Sequence, residues 1–131
     1  MRNTPEFEIK PIARGRRINI YAVTRNGKSE VTDFLLALKG ARSSDYTGLI
    51  QNLCQVADAF PLVRESRLRK IKGEPFADMW EIKRGQHRLY GFMAPGGLYL
   101  YRYDLKTKQK PSPAILKSVA DCREEWREQY G

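Results

Sequence analysis

A chain of 131 residues is enough for one domain with a real core. Its 41% hydrophobic and 30% charged content excludes wholesale disorder. No apolar run is long enough to cross a bilayer, and the N-terminal MRNTPEFEIK lacks an apolar signal core, so no membrane partner is expected and the cytoplasm is the expected compartment. The formal net charge of +9 is unevenly spread. Residues 61–111 hold twelve Lys and Arg against five Asp and Glu, and residues 1–25 hold six against two. The remainder is slightly acidic. A basic surface confined to part of the chain fits a polyanion such as nucleic acid, although a basic chain can also be merely soluble. Cys54 and Cys122 show neither CxxC nor metal-ligand spacing and read as buried thiols.

Residues 1–15 carry Pro5, Pro11 and Gly15 and read as an N-terminal arm with some strand character at Phe7–Ile12. Residues 16–131 read as the domain. RRINIYAVT, from Arg16 to Thr24, alternates apolar and polar residues with frequent β-branching, the pattern of a strand, and Asn26-Gly27 turns the chain. Ser29 can cap a helix that Gly40 stops, with Val31, Phe34, Leu35 and Leu38 along one face. Ser43 or Ser44 can cap a second helix, whose apolar face runs from Tyr46 through Leu49, Leu53 and Val56 to Phe60 before Pro61. The short link between them predicts a helical hairpin.

After an Arg- and Lys-rich stretch come a short strand at Leu68–Ile71 and three stronger ones at 78–84, 87–93 and 98–104. Arg84-Gly85-Gln86 and Ala94-Pro95-Gly96-Gly97 are the turns between them. Strict alternation puts Tyr99, Tyr101 and Tyr103 on one face and Leu98, Leu100, Arg102 and Asp104 on the other. Ser112-Pro113 starts a last helix with a stripe of Ile115, Leu116, Val119, Cys122 and Trp126. Meander strands with segregated helices predict an α+β domain: a helical hairpin and a C-terminal helix packed on an antiparallel sheet of about four strands.

Three stretches in this order resemble the RelE/HigB-like toxins of type II toxin–antitoxin systems, closest to their phage-derived branch. KIKGEPFADMWEIKRG (70–85) is similar to the family's Leu-Lys-Gly stretch and its aromatic-Glu-apolar-basic strand. HRLYGF (87–92) is similar to its Arg-bearing strand, and YRYDLKTKQKP (101–111) to its basic tail before the last helix. The resemblance implies a RelE-like fold and a ribosome-dependent mRNA endonuclease, or mRNA interferase. It implies cleavage without metal or other cofactor, by attack of the RNA's own 2′-hydroxyl, leaving a cyclic phosphate and a 5′-hydroxyl. The implied partners are mRNA on the ribosome and a cognate antitoxin.

Such a reaction needs cations on the scissile phosphate, a base for the 2′-OH and an acid for the leaving oxygen. By the resemblance Arg88 is the phosphate clamp, suited to it by a guanidinium's bidentate grip. Lys106 corresponds to one lysine of the tail motif. Arg102 is a second phosphate candidate, and Lys70, Lys72, Lys83, Lys108 and Lys110 are candidate RNA contacts. Glu81 either orients Arg88 or forms an ion pair across the strands. His87 adjoins Arg88, so the two should point to opposite faces of a strand, which favours a structural role for the histidine. Relatives place His or Tyr just after the last strand, where this chain has Asp104-Leu105. Asp104 or a lysine must then move the proton, or the chain binds RNA, the ribosome or a protein without cutting. One histidine and no clustered carboxylates make a poor metal site.

Overall fold

In a computed structural model of the chain, residues 4–105 and 110–131 are described. The segment expected to be an arm joins the sheet: β1 (Phe7–Arg14) pairs antiparallel with β2 (Asn19–Arg25). Being an edge strand, β1 needs a partner on one side only, so it tolerates Pro11 and its exposed charges, the features that disguise it in the sequence. The register slips between Pro11 and Ala13. Gly15 then crosses α2 so closely that a Cβ there would collide with the backbone of Ala57.

Helix α1 (Glu30–Ala41) starts as expected, with Ser29 Oγ accepting a hydrogen bond from the Thr32 N–H at 3.2 Å. Glu30 and Asp33 lie at its positive end and Lys39 at its negative end. It runs through Gly40 rather than stopping there, and Arg42 alone links it to α2 (Ser43–Ala59). Next come β3 (Leu68–Lys70), β4 (Met79–Arg84), β5 (His87–Ala94), β6 (Gly97–Leu105) and α3 (Pro113–Tyr130). Ser112 precedes α3 but makes no side-chain cap bond. No helix among the described residues is long and apolar enough to cross a membrane.

Among the described residues the fold is α+β, with three helices and an open mixed sheet of six strands in the order β1-β2-β6-β5-β4-β3. The expected sheet of about four antiparallel strands is too small. It lacks β1, and it misses that β6 inserts beside β2 in parallel, Asn19 facing Gly97 and Ala22 facing Leu100. Alternation within a strand carries no information about such a distant partner. Gly97 makes the fit possible, since a Cβ there would run into the Asn19 backbone.

Each face of the sheet has its own core. Ile20, Ala22, Leu89, Leu98 and Leu100 pack under α1 and α2. Val23, Met79, Tyr90, Phe92 and Tyr99 pack against Ile115, Val119, Cys122 and Trp126 of α3. Each fully buried side chain of this size contributes about 1.5–3 kcal/mol. Arginines fasten α3 in place. Arg25 grips Glu125 through two bonds of 3.0 and 2.7 Å, and Arg127 meets Asp78 at 2.9 Å. Arg123, only 5% exposed, donates to the carbonyls of Pro75 and Ala77 and so ties the 73–78 loop to the helix.

One irregularity decides which side chains share a face. Between Tyr90 and Gly91 the β5–β6 register shifts: Gly91 faces Leu100 but Tyr90 faces Arg102, so Tyr101 is an extra residue in β6. Past this bulge the parity of β6 is reversed. Arg102 and Asp104 join Tyr90 and Arg88 on the α3 side of the sheet, and Tyr103 turns to the α1–α2 side. The three tyrosines therefore do not share one face. Tyr99 and Tyr101 pack with α3, while Tyr103 stacks on Phe34 of α1, ring centroids 3.7 Å apart and planes 11° from parallel. Strict alternation fails here because the bulge lies between strands, where no single strand's pattern records it.

Candidate functional site

Helix α3 packs on its face of the sheet against Val23, Met79, Tyr90, Phe92 and Tyr99. The rest of that face, where β4, β5 and β6 run on toward the Arg84–His87 turn, carries charge. The register brings Lys83 opposite Arg88, Arg88 opposite Asp104, and Arg102 opposite Tyr90. Arg69 of β3 lies opposite Glu81 and joins the same face. Three residues expected from the sequence to handle the phosphate and its proton, Arg88, Arg102 and Asp104, thus stand together with Lys83. Arg69 is an addition that the sequence pointed to only through its place in a basic run.

Glu81 lies at the centre and is fully buried. A buried carboxylate persists only when cations and donors surround it. Lys83 Nζ stands 4.0 Å from it, and Arg69 and Tyr90 lie opposite it on the two neighbouring strands. Burial first, then the Glu81 charge, hold the Tyr90 phenol well above its ordinary range. Glu81 is out of reach of a bound strand, and its part is to hold Lys83 and Tyr90 in place.

Arg88 is half-buried, and its Nη1 donates to the carbonyls of Gly85 at 2.5 Å and His87 at 2.9 Å. The guanidinium is thereby fixed at its own hairpin turn. The Nε atoms of Arg88 and Arg69 find no hydrogen-bond partner among the described residues, a state that native structures seldom leave unexplained. Arg102 is more committed. Its Nε donates to Glu30 at 3.0 Å and its Nη1 to Ser118 at 2.7 Å, and Glu30 also accepts from the Tyr103 N–H at 2.8 Å. Arg102 therefore braces the start of α1 and the first turns of α3 against β6. Its carboxylate partner is Glu30.

The other expected contacts scatter. The register puts Lys70 opposite Trp80, on the α1–α2 side, and it is exposed. Lys72 and Lys110 are exposed in loops. Lys106 and Lys108 lie outside the described residues. His87 takes the face opposite Arg88, as strand geometry demands. Its Nδ1 lies 3.0 Å from the Tyr103 hydroxyl and its ring packs on Phe34. A cavity of about 600 Å³ opens on that other side, against α1 and α2, and none of Lys83, Arg88, Arg102 or Asp104 lines it. Lys83, Arg88, Arg102 and Asp104 are half-buried and surround a buried centre of Glu81 and Tyr90. Among the described residues no three His, Cys, Asp or Glu side chains are grouped to hold a metal ion.

Comparison with family models, with curated proteins and with solved structures finds no match to this chain.

Proposed function

We propose that the chain is the toxin of a toxin–antitoxin pair, a RelE-like, metal-independent endoribonuclease acting on mRNA at the ribosome. One observation carries the reading. The β6 bulge sets Arg102 and Asp104 beside Lys83 and Arg88 on the α3 side of the sheet, all four half-buried. Cations and a carboxylate side by side are what strand cleavage by a 2′-hydroxyl requires. In this mechanism Arg88 and Lys83 hold the scissile phosphate and offset the charge that grows on it. Asp104, half-buried and level with Arg88, accepts the 2′-OH proton. The 2′-oxygen bonds to phosphorus, the bond to the 5′-oxygen breaks, and that oxygen takes a proton from a lysine ammonium, that of Lys83 among the described residues.

A second reading rests on the hydrogen bonds already made. Arg88 is folded back on its turn and Arg102 on Glu30 and Ser118. A face so engaged can hold RNA, the ribosome or a protein without cutting. Induced expression separates the two readings. The nuclease arrests growth and leaves codon-positioned cuts in translated mRNA by primer extension, and Arg88→Ala abolishes both. Wild-type toxicity in Arg88→Ala would refute the site, and RNA binding without cuts would leave the binding reading standing.

A further inference from the structure

The cavity on the α1–α2 side is a different site from the cationic face. Its wall includes Phe34, Arg42, Asp45, Arg84, Gln86 and His87. We infer that it binds a nucleotide unit, a planar base against the aromatic wall with its phosphate on Arg84 and Arg42.

Five observations carry this. The volume of about 600 Å³ falls within the ordinary range of small-ligand sites. Phe34 already stacks on Tyr103 and packs on the His87 ring, so the wall is a rigid aromatic stack that a flat base extends. Arg84 is exposed and forms no ion pair among the described residues. Its guanidinium lies against α2 at Gly48, where a Cβ would stand 3.0 Å from Cζ, beside the aromatic wall. A guanidinium so placed has its donors available for a phosphate. Arg42 stands on the same wall, 76% exposed and 3.7 Å from Asp45. Asp45 and Gln86 offer an acceptor and an amide, the groups that read the edge of a base. A bare inorganic anion would leave the apolar wall unused, and an apolar ligand would leave two guanidiniums unused.

The inference stands whether or not the opposite face cleaves RNA. The nucleotide has two sources, an unpaired residue of a bound RNA or a free mononucleotide. Titrations of the whole chain followed by amide shifts test it, with AMP, GMP, CMP and UMP, a single-stranded hexaribonucleotide and inorganic phosphate as probes. A nucleotide or the oligomer should shift amides of Ala37, Ala41, Gln86 and His87, with phosphate much weaker. Arg84→Ala, an exposed position, should weaken binding at least tenfold, while Lys117→Ala, an exposed position on α3 across the sheet, leaves mononucleotide binding unchanged. Mononucleotide binding as tight as the oligomer's assigns the site to free nucleotides, and oligomer binding alone assigns it to RNA. No shift at these amides with any probe, equal binding of phosphate and nucleotide, or an unaffected Arg84→Ala would overturn the inference.

Discussion

Gly91→Ala tests the bulge on which the site reading depends. A Cβ at position 91 would stand 2.1 Å from the Tyr99 carbonyl oxygen and 2.8 Å from Leu100 Cα. Carbon contacts settle at about 3.5 Å or more, and both obstacles are backbone, so no change of rotamer relieves the clash. Overpacking costs about 1–3 kcal/mol when side chains can give way. Here paired strands must separate, so about 3 kcal/mol is expected, or roughly 10 °C in Tm for a domain of this size. The strands' other escape is to lose the bulge. Residues 102–105 would then slip by one, turning Arg102 and Asp104 toward Phe34 and taking Tyr103 away from His87. Thermal melts by circular dichroism read the first effect. RNA binding by fluorescence anisotropy at fixed salt reads the second, with at least a tenfold loss expected. Gly40→Ala is the control: nothing lies within 4 Å of a Cβ there, and the site is helical. It should stabilise by up to about 1 kcal/mol. Unchanged melting and RNA affinity in Gly91→Ala would refute the account of how the face is assembled.

Arg102→Ala should lower stability by about 1–2 kcal/mol in urea melts, because it abandons Glu30 and Ser118, whereas Arg88→Ala should move it by less than about 1 kcal/mol; equal losses would contradict the division between brace and clamp. Arg123→Ala should cost about 2–4 kcal/mol, because it leaves the Pro75 and Ala77 carbonyls without their donor and opens a gap under α3; faster proteolysis at 73–78 would accompany it. Burial pushes the Cys122 thiol up from its ordinary 9.0 to about 12, with Glu125 adding to the effect and Arg25 opposing it. Its folded pKa being raised, the stability it contributes is full below pH 9.0 and is lost as pH rises toward 12, by at most about 1.4 kcal/mol per pH unit. Urea midpoints at about pH 8 and about pH 10.5 should therefore fall less in Cys122→Ala than in wild type, and an equal fall would exclude the thiol as the cause.

The sequence alone determined the local elements, because their causes are local. Ser29 caps α1 through its own neighbours, the stripes of α1, α2 and α3 repeat with the helical period, and alternation marks the strands from 79 to 105. Strand geometry also sufficed to set His87 and Arg88 on opposite faces. What depends on a distant partner was settled only in three dimensions. β1 has the composition of a loose arm and becomes a strand through hydrogen bonds to β2. β6 lies beside β2 because Gly97 lets two backbones meet there. The basic run from 64 to 110 forecast a cationic surface, yet which cations share it follows from the bulge opposite Gly91, a property of two strands together. The same tertiary contacts divide the arginines, engaging Arg102 with Glu30 and Ser118, burying Arg123 under a loop and holding Arg88 at its turn. A guanidinium's role is set by the acceptors the fold brings to it, and those come from elements far apart in the chain.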